Sequence, residues 1–141
     1  MTTFLQPSQA AAINLIRRGI AGEVVMLNLL RFREVADYSA SPELAPASPI
    51  SGAAAYDRYI AEALPHLRDS GGDVLFWGEG GPFLVGPEQE RWDRSLLVRQ
   101  RSVETFFAFA ANEKYLACVG HRTAAVLDSR LLPLIPLAFA P

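Results

Sequence analysis

Apolar positions run almost without a break through Val24 to Arg33, VVMLNLLRFR, with a single asparagine at the centre. Successive side chains of a strand alternate across the pleat, which puts Met26, Asn28, Leu30 and Phe32 on one side. Val25, Leu27, Leu29, Arg31 and Arg33 fall on the other. Both sides are mostly apolar, so the stretch reads as a central strand, with helices covering one face and a second layer the other. An amide buried in such a place needs hydrogen-bond partners or a ligand, which makes Asn28 the first candidate for function.

The remaining pattern supplies the other elements. Upstream, Pro7 and Ser8 open a helix with Ser8 as its cap; Ala12, Ile13 and Ile16 form a narrow apolar stripe, and Gly19 stops it, as a peripheral flap. Pro42, Pro46 and Pro49 exclude regular structure from 34–50, a length that suits a lid or partner contact as well as a solvated insertion. Ser51 and Gly52 begin a stronger helix that buries Tyr56, Ile60, Ala63 or Leu64, and Leu67, and turns Asp57, Arg58, Glu62 and Arg68 outward. Pro65 should bend its last turn before Gly71 and Gly72 reverse the chain. DVLFWGEGGPFLVG reads as strand, glycine-rich turn and short strand. WDRSLLVRQR is a further strand, with Leu96 and Val98 on one face and Leu97 and Arg99 on the other. Ser102 caps a helix running to Gly120, with Val103, Phe106, Phe107 and Ala110 as its apolar contact, and His121 and Arg122 follow directly. A basic-apolar strand near Arg130 to Ile135 closes the pattern.

Setting the first helix aside leaves strand, helix, strand, strand, helix, strand. This is an α+β, ferredoxin-like βαββαβ arrangement, a four-stranded antiparallel sheet with two helices on one face. The opposite face would present apolar side chains to water, and a second copy related by a two-fold axis is the economical cover, forming a dimeric α/β barrel.

Length and composition narrow the field. The 141 residues suit one domain, 1–141, with a core at about 22–136 and 1–21 as a helical extension. A net charge of −2 with half the residues hydrophobic gives phosphate no general attraction, so nucleic acid is not an expected partner. The single cysteine, Cys118, allows no internal disulfide and suits a reducing compartment. No secretion signal or membrane-spanning run is read in the chain, so a cytoplasmic protein without a membrane partner is expected.

The runs VVMLNLLRFR, SGAAAYDRY, GGDVLFWGEGG, LVGPEQERWD, LLVRQRSVETF and HRTAAVLDSRLL, in that order from Gly22 to Leu132, resemble the domain of unknown function 1330 family of the dimeric α/β-barrel superfamily. The resemblance implies a ferredoxin-like homodimer and leaves the activity open. Where that family usually places a Tyr-Pro pair before the second main helix, this chain has Gln100 and Arg101, so any role of that tyrosine does not carry over.

Candidate chemistry is sparse. Asn28 is the ligand-binding candidate of the central strand, or else an amide that pins register or the dimer seam. Trp77 and Glu79 share a strand face if that strand runs unbroken, and a carboxylate beside an indole could act as a general acid or base; otherwise Glu79 tops a solvated turn. Arg99, flanked by apolar residues, could hold a carboxylate through two parallel hydrogen bonds or form an interface ion pair with Glu79 or Asp93. Tyr56 and Tyr59 read as core residues with hydroxyls at a rim, Tyr56 being the ligand-binding candidate. His121 could stabilise a helix C-terminus or accept a proton, while His66 reads as exposed. Two distant histidines offer no zinc spacing, nothing around His121 argues for a haem pocket, and Cys118 reads as an inert small hydrophobe. No nucleophile-elbow, P-loop or dinucleotide fingerprint occurs.

The expectation is therefore a cofactor-independent, metal-free homodimer that binds a small, partly apolar organic molecule. Asn28 and Arg99 would orient it, and Glu79 or His121 would move a proton. The alternative is a non-catalytic binding or scaffold dimer that the same residues stitch together.

Overall fold

The computed structural model describes residues 2–139. Helix α1 (Gln9–Arg17) precedes strand β1 (Val24–Phe32), a 3-10 turn at Pro42–Leu44 and helix α2 (Gly52–Asp69). Strands β2 (Asp73–Pro82) and β3 (Arg91–Gln100) follow, then helices α3 (Val103–Ala110), α4 (Glu113–Leu116) and α5 (Val119–Ala125), and finally β4 (Val126–Leu134). Ser8, Ser51 and Ser102 each cap a helix, accepting from the backbone N–H three residues on. The four strands form one antiparallel sheet in the order β2-β3-β1-β4, the ferredoxin-like topology with β1 inside. It is an open sheet, not a barrel closed within the chain.

The helices cover the face that carries Val24, Met26, Leu30 and Leu96. One core gathers Leu30, Leu96 and Val126 against Ala55, Tyr56 and Tyr59 of α2. A second joins Val24 and Met26 to Leu15 of α1 and Val103 of α3; Leu15 alone of α1 is buried while Ile13 and Ile16 of the expected stripe are exposed, so α1 is a peripheral helix docked through a different residue. On the opposite face, Leu27 of β1 pairs with Leu97 of β3 and Leu132 of β4, and Leu97 pairs with Phe76 of β2. Among the described residues no helix packs over them; Phe76 and Leu132 stay more than half exposed.

Several sequence expectations need correction. GEGGP does not turn: β2 runs through it to Pro82, because β2 is an edge strand where glycine and proline cost the ladder little. The turn falls in Phe83–Glu90. The helix from Ser102 does not reach Gly120. It stops at Ala110, and the Asn112 side chain accepts from Lys114 and Tyr115 N–H to start α4. Gly120 lies inside α5, where a Cβ would come within 2.6 Å of Ser41 Oγ and Leu44 Cδ1, so glycine is set there by a close approach of the 34–50 loop and not by a helix end. His121 and Arg122 are accordingly helical. The loop holds one 3-10 turn, the last strand begins at Val126 rather than near Arg130, and His66 is half-buried. Helix α2 continues through Pro65 to Asp69.

The N-terminal segment straps the β4 edge. Phe4 N–H donates to Asp128 Oδ1 at 2.8 Å, and Ser129 N–H and Oγ donate to the Phe4 carbonyl at 2.9 and 2.6 Å. Arg122 holds the Leu5 carbonyl at 3.1 Å. These contacts occupy strand groups that would otherwise invite another chain. Burial pushes the Asp128 carboxyl up, but donors from Phe4, Arg130 and Ser129 outweigh it and hold it below its ordinary value. A depressed carboxylate stabilises above its unfolded pKa of about 3.9 and loses that contribution as pH falls through the lower folded value. Below that value the strap should loosen. The protection factor of the Ser129 amide, taken against the intrinsic exchange rate at each pH, is expected to fall there relative to pH 7 by more than at amides inside β1; equal protection would refute the role given to Asp128.

Candidate functional site

Strand alternation places Arg94 on the helix side of β3, the same side as Leu96 and Val98, where a charge must find partners. It finds four. Nη1 donates to Asp57 Oδ1 at 2.8 Å, and the guanidinium lies over the rings of Trp77 at 4.5 Å, Phe32 at 5.0 Å and Tyr56 at 5.8 Å. Trp77 of β2 has Leu96 of β3 as its ladder partner, and Glu79 has Arg94. Two of the residues expected to matter, Tyr56 and Trp77, thus gather about an arginine that is not among the expected site residues; Glu79 is its ladder partner, exposed and outside ion-pair distance. Tyr56 is fully buried and its phenol is pushed far up by desolvation, so it serves as a neutral ring. Trp77 keeps 42% exposure and offers an indole to solvent beside the cation. The arrangement can hold an anion against Arg94 and an apolar body against Trp77, with the Glu79 carboxylate alongside.

The other candidates lie apart. Asn28 has Leu96 and Leu131 as its ladder partners and donates to its own strand, at Met26 O, 3.2 Å away. Its amide is half-buried between the two cores. Arg99 pairs with Val25 and points to the uncovered face, opposite to Asn28, so one pocket cannot take both. Its Nε is buried without a partner, and within one chain Arg99 pairs with neither Glu79 nor Asp93, the latter accepting from Phe32 N–H and Arg91. Within one chain no two of Asn28, Arg99, Glu79 and His121 come within hydrogen-bonding reach of each other.

His121 forms a separate chain. Its Nε2 meets Glu62 Oε2 at 2.8 Å and its Nδ1 meets Tyr38 Oη at 2.8 Å, inside the fold between α2 and the 34–50 loop. The carboxylate calls for a proton on Nε2, so in the neutral ring Nδ1 accepts from the Tyr38 O–H. Burial raises the Tyr38 phenol and keeps it the donor. Next to it, Tyr59 and Tyr115 share a hydroxyl contact of 2.7 Å, and burial raises both. Burial likewise raises the Cys118 thiol, in keeping with an inert side chain. The chain fastens the proline-rich loop. Tyr38→Phe leaves a buried imidazole nitrogen unpartnered and should lower unfolding stability by about 1 to 3 kcal/mol; urea titrations of the two proteins measure it, and superimposable curves would contradict it. A relation between residues 38, 62 and 121 has no local sequence signal.

Among the described residues no group of three or more His, Cys, Asp and Glu side chains is placed to hold a metal ion. No described helix is long and apolar enough to cross a membrane.

No family model matches the chain, and no curated protein matches it. Solved structures do. The crystal structure of methylated RPA0582 protein shares 33% identity over 98% of each chain with a TM-score of 0.83. A second RPA0582 structure, described as a protein of unknown function from Rhodopseudomonas palustris, gives 33% identity over 97% of this chain and 99% of that one, at 0.82. A dabb family protein with a ferredoxin-like fold from Mesorhizobium loti aligns at 13% identity over 84% of this chain and 100% of that one, at 0.48. Identity at this level, sustained over nearly the whole length of both chains, shows that this chain belongs to the family of the Rhodopseudomonas palustris RPA0582 protein.

Proposed function

We propose that the protein is a cytoplasmic homodimer of the domain of unknown function 1330 type, its two open sheets packed face to face as a dimeric α/β barrel. Each subunit binds a small, partly apolar organic acid on the Arg94–Trp77 platform. The observation that carries the ligand reading is a guanidinium spread over three aromatic rings, with one ion-pair partner and a half-exposed indole beside it. Glu79, opposite Arg94, is the carboxylate positioned to move a proton on a molecule held there, without a cofactor. The lone, buried Cys118 fits a reducing compartment.

Benzoate is a suitable probe, and the two tryptophans separate the outcomes. In a ¹⁵N-labelled sample the indole N–H resonance of Trp77 should shift saturably with benzoate, and Arg94→Ala should abolish the shift. A second reading, the non-catalytic scaffold dimer, draws on the scatter of Asn28, Arg99 and His121; it predicts a persistent dimer whose Trp77 resonance ignores the acid.

A further inference from the structure

A cavity of about 270 Å³ lies at the far end of the uncovered face, on the opposite side of the sheet from the Arg94 platform, so in the proposed dimer it would border the second subunit. Arg31 of β1 and Arg130 of β4 line it with Trp92 of β3, and the turn before β3 closes it through Pro87, Glu90 and Arg91. Alternation along β1 puts Arg31 on the side of Leu27 and Leu29. Asp128, Arg31's ladder partner, also faces the cavity.

The cations here are unequally engaged. Arg130 is spoken for: its guanidinium lies between the rings of Phe4 at 4.8 Å and Trp92 at 4.9 Å and donates to Asp128 and the Ser129 carbonyl, each at 2.8 Å. Arg91 makes a long contact with Asp93, 3.4 Å. Arg31, among the described residues, has no carboxylate within ion-pair distance; Oδ1 of its ladder partner Asp128 accepts from Phe4, Ser129 and Arg130. Trp92 is buried, and its indole N–H has no hydrogen-bond partner. An unengaged guanidinium fork at a cavity walled by the Trp92 ring describes a place that wants an acceptor.

We propose that this cavity is a second ligand site, taking a small organic monocarboxylate held bidentately by Arg31. Asp128, Glu90 and, beside Arg91, Asp93 balance the three guanidiniums, so the surroundings are near neutral and Arg31, the one cation unpaired among the described residues, suits a monoanion and disfavours a phosphate dianion. The volume lies just under the lower end of ordinary ligand pockets, about 300 Å³, so the acid is small. Pro87 and Trp92 supply apolar wall for its body.

The same labelled protein tests this independently of the Arg94 reading, since Trp92 and Trp77 report separately. Benzoate should shift the Trp92 indole N–H saturably, with Arg94→Ala leaving that shift in place. Arg31→Lys, which keeps the charge and loses the fork, should weaken the Trp92 response about tenfold or more. Inorganic phosphate at equal ionic strength should produce little shift. A Trp92 resonance that ignores benzoate overturns the proposal. So does an unchanged affinity in Arg31→Lys, or a phosphate response as strong as that of benzoate.

Discussion

Replacing Leu97 with arginine is expected to split the protein into single chains while leaving each chain folded. Leu97 lies mid-sheet on the uncovered face, between Leu27 of β1 and Phe76 of β2. It is only half-buried in the isolated chain, so the substitution removes little of either core. In the proposed dimer the two-fold axis brings two new charges into one apolar seam, at several kcal/mol for each ion taken out of water. Association should weaken by about a thousandfold or more. Light scattering during gel filtration reads the mass and a thermal melt reads the fold. A folded variant still running as a dimer would place the interface elsewhere. The area is adequate: four strands at about 4.8 Å spacing and about 30 Å long present a plane of roughly 570 Å² per subunit. Its accessible surface is larger than its plane, near the ~800 Å² per partner of standard interfaces.

Arg94→Ala is expected to cost both ligand and stability. Three cation–π contacts at about 0.5 to 1 kcal/mol each, and a partly exposed ion pair worth about 0 to 1, together give roughly 1.5 to 4 kcal/mol. For a chain of this size that lowers the melting temperature by about 5 to 12 °C. Arg94→Lys keeps the charge near Asp57 but not the planar stack, and should recover only part of the loss. If alanine melts like the parent, the guanidinium is not the keystone of this cluster. Loss of the benzoate response in Trp77 without loss in Trp92 would tie the effect to the platform.

The sheet was largely legible because its signals are local. The unbroken apolar run of β1 marked the interior strand, and serines three residues before a free N–H marked three helix starts. What failed depended on place in the fold. GEGGP carries strong turn chemistry, yet at a sheet edge it stays extended; Gly120 looks like a helix stop, yet it is small because Ser41 and Leu44 pack against it. Arg94 did have a signal: DRSLLV alternates it onto the face of Leu96 and Val98, a charge on a buried side, and Arg99 drew attention only because its neighbours are apolar. The Glu62–His121–Tyr38 chain joins segments far apart in sequence and could not have been read from it.

Sedimentation equilibrium of the unmodified protein at micromolar concentration weighs the central claim most directly. Pairing through the bare sheet face predicts a single species of twice the 15.4 kDa chain mass. A species of one chain mass, stable across that range, would contradict it.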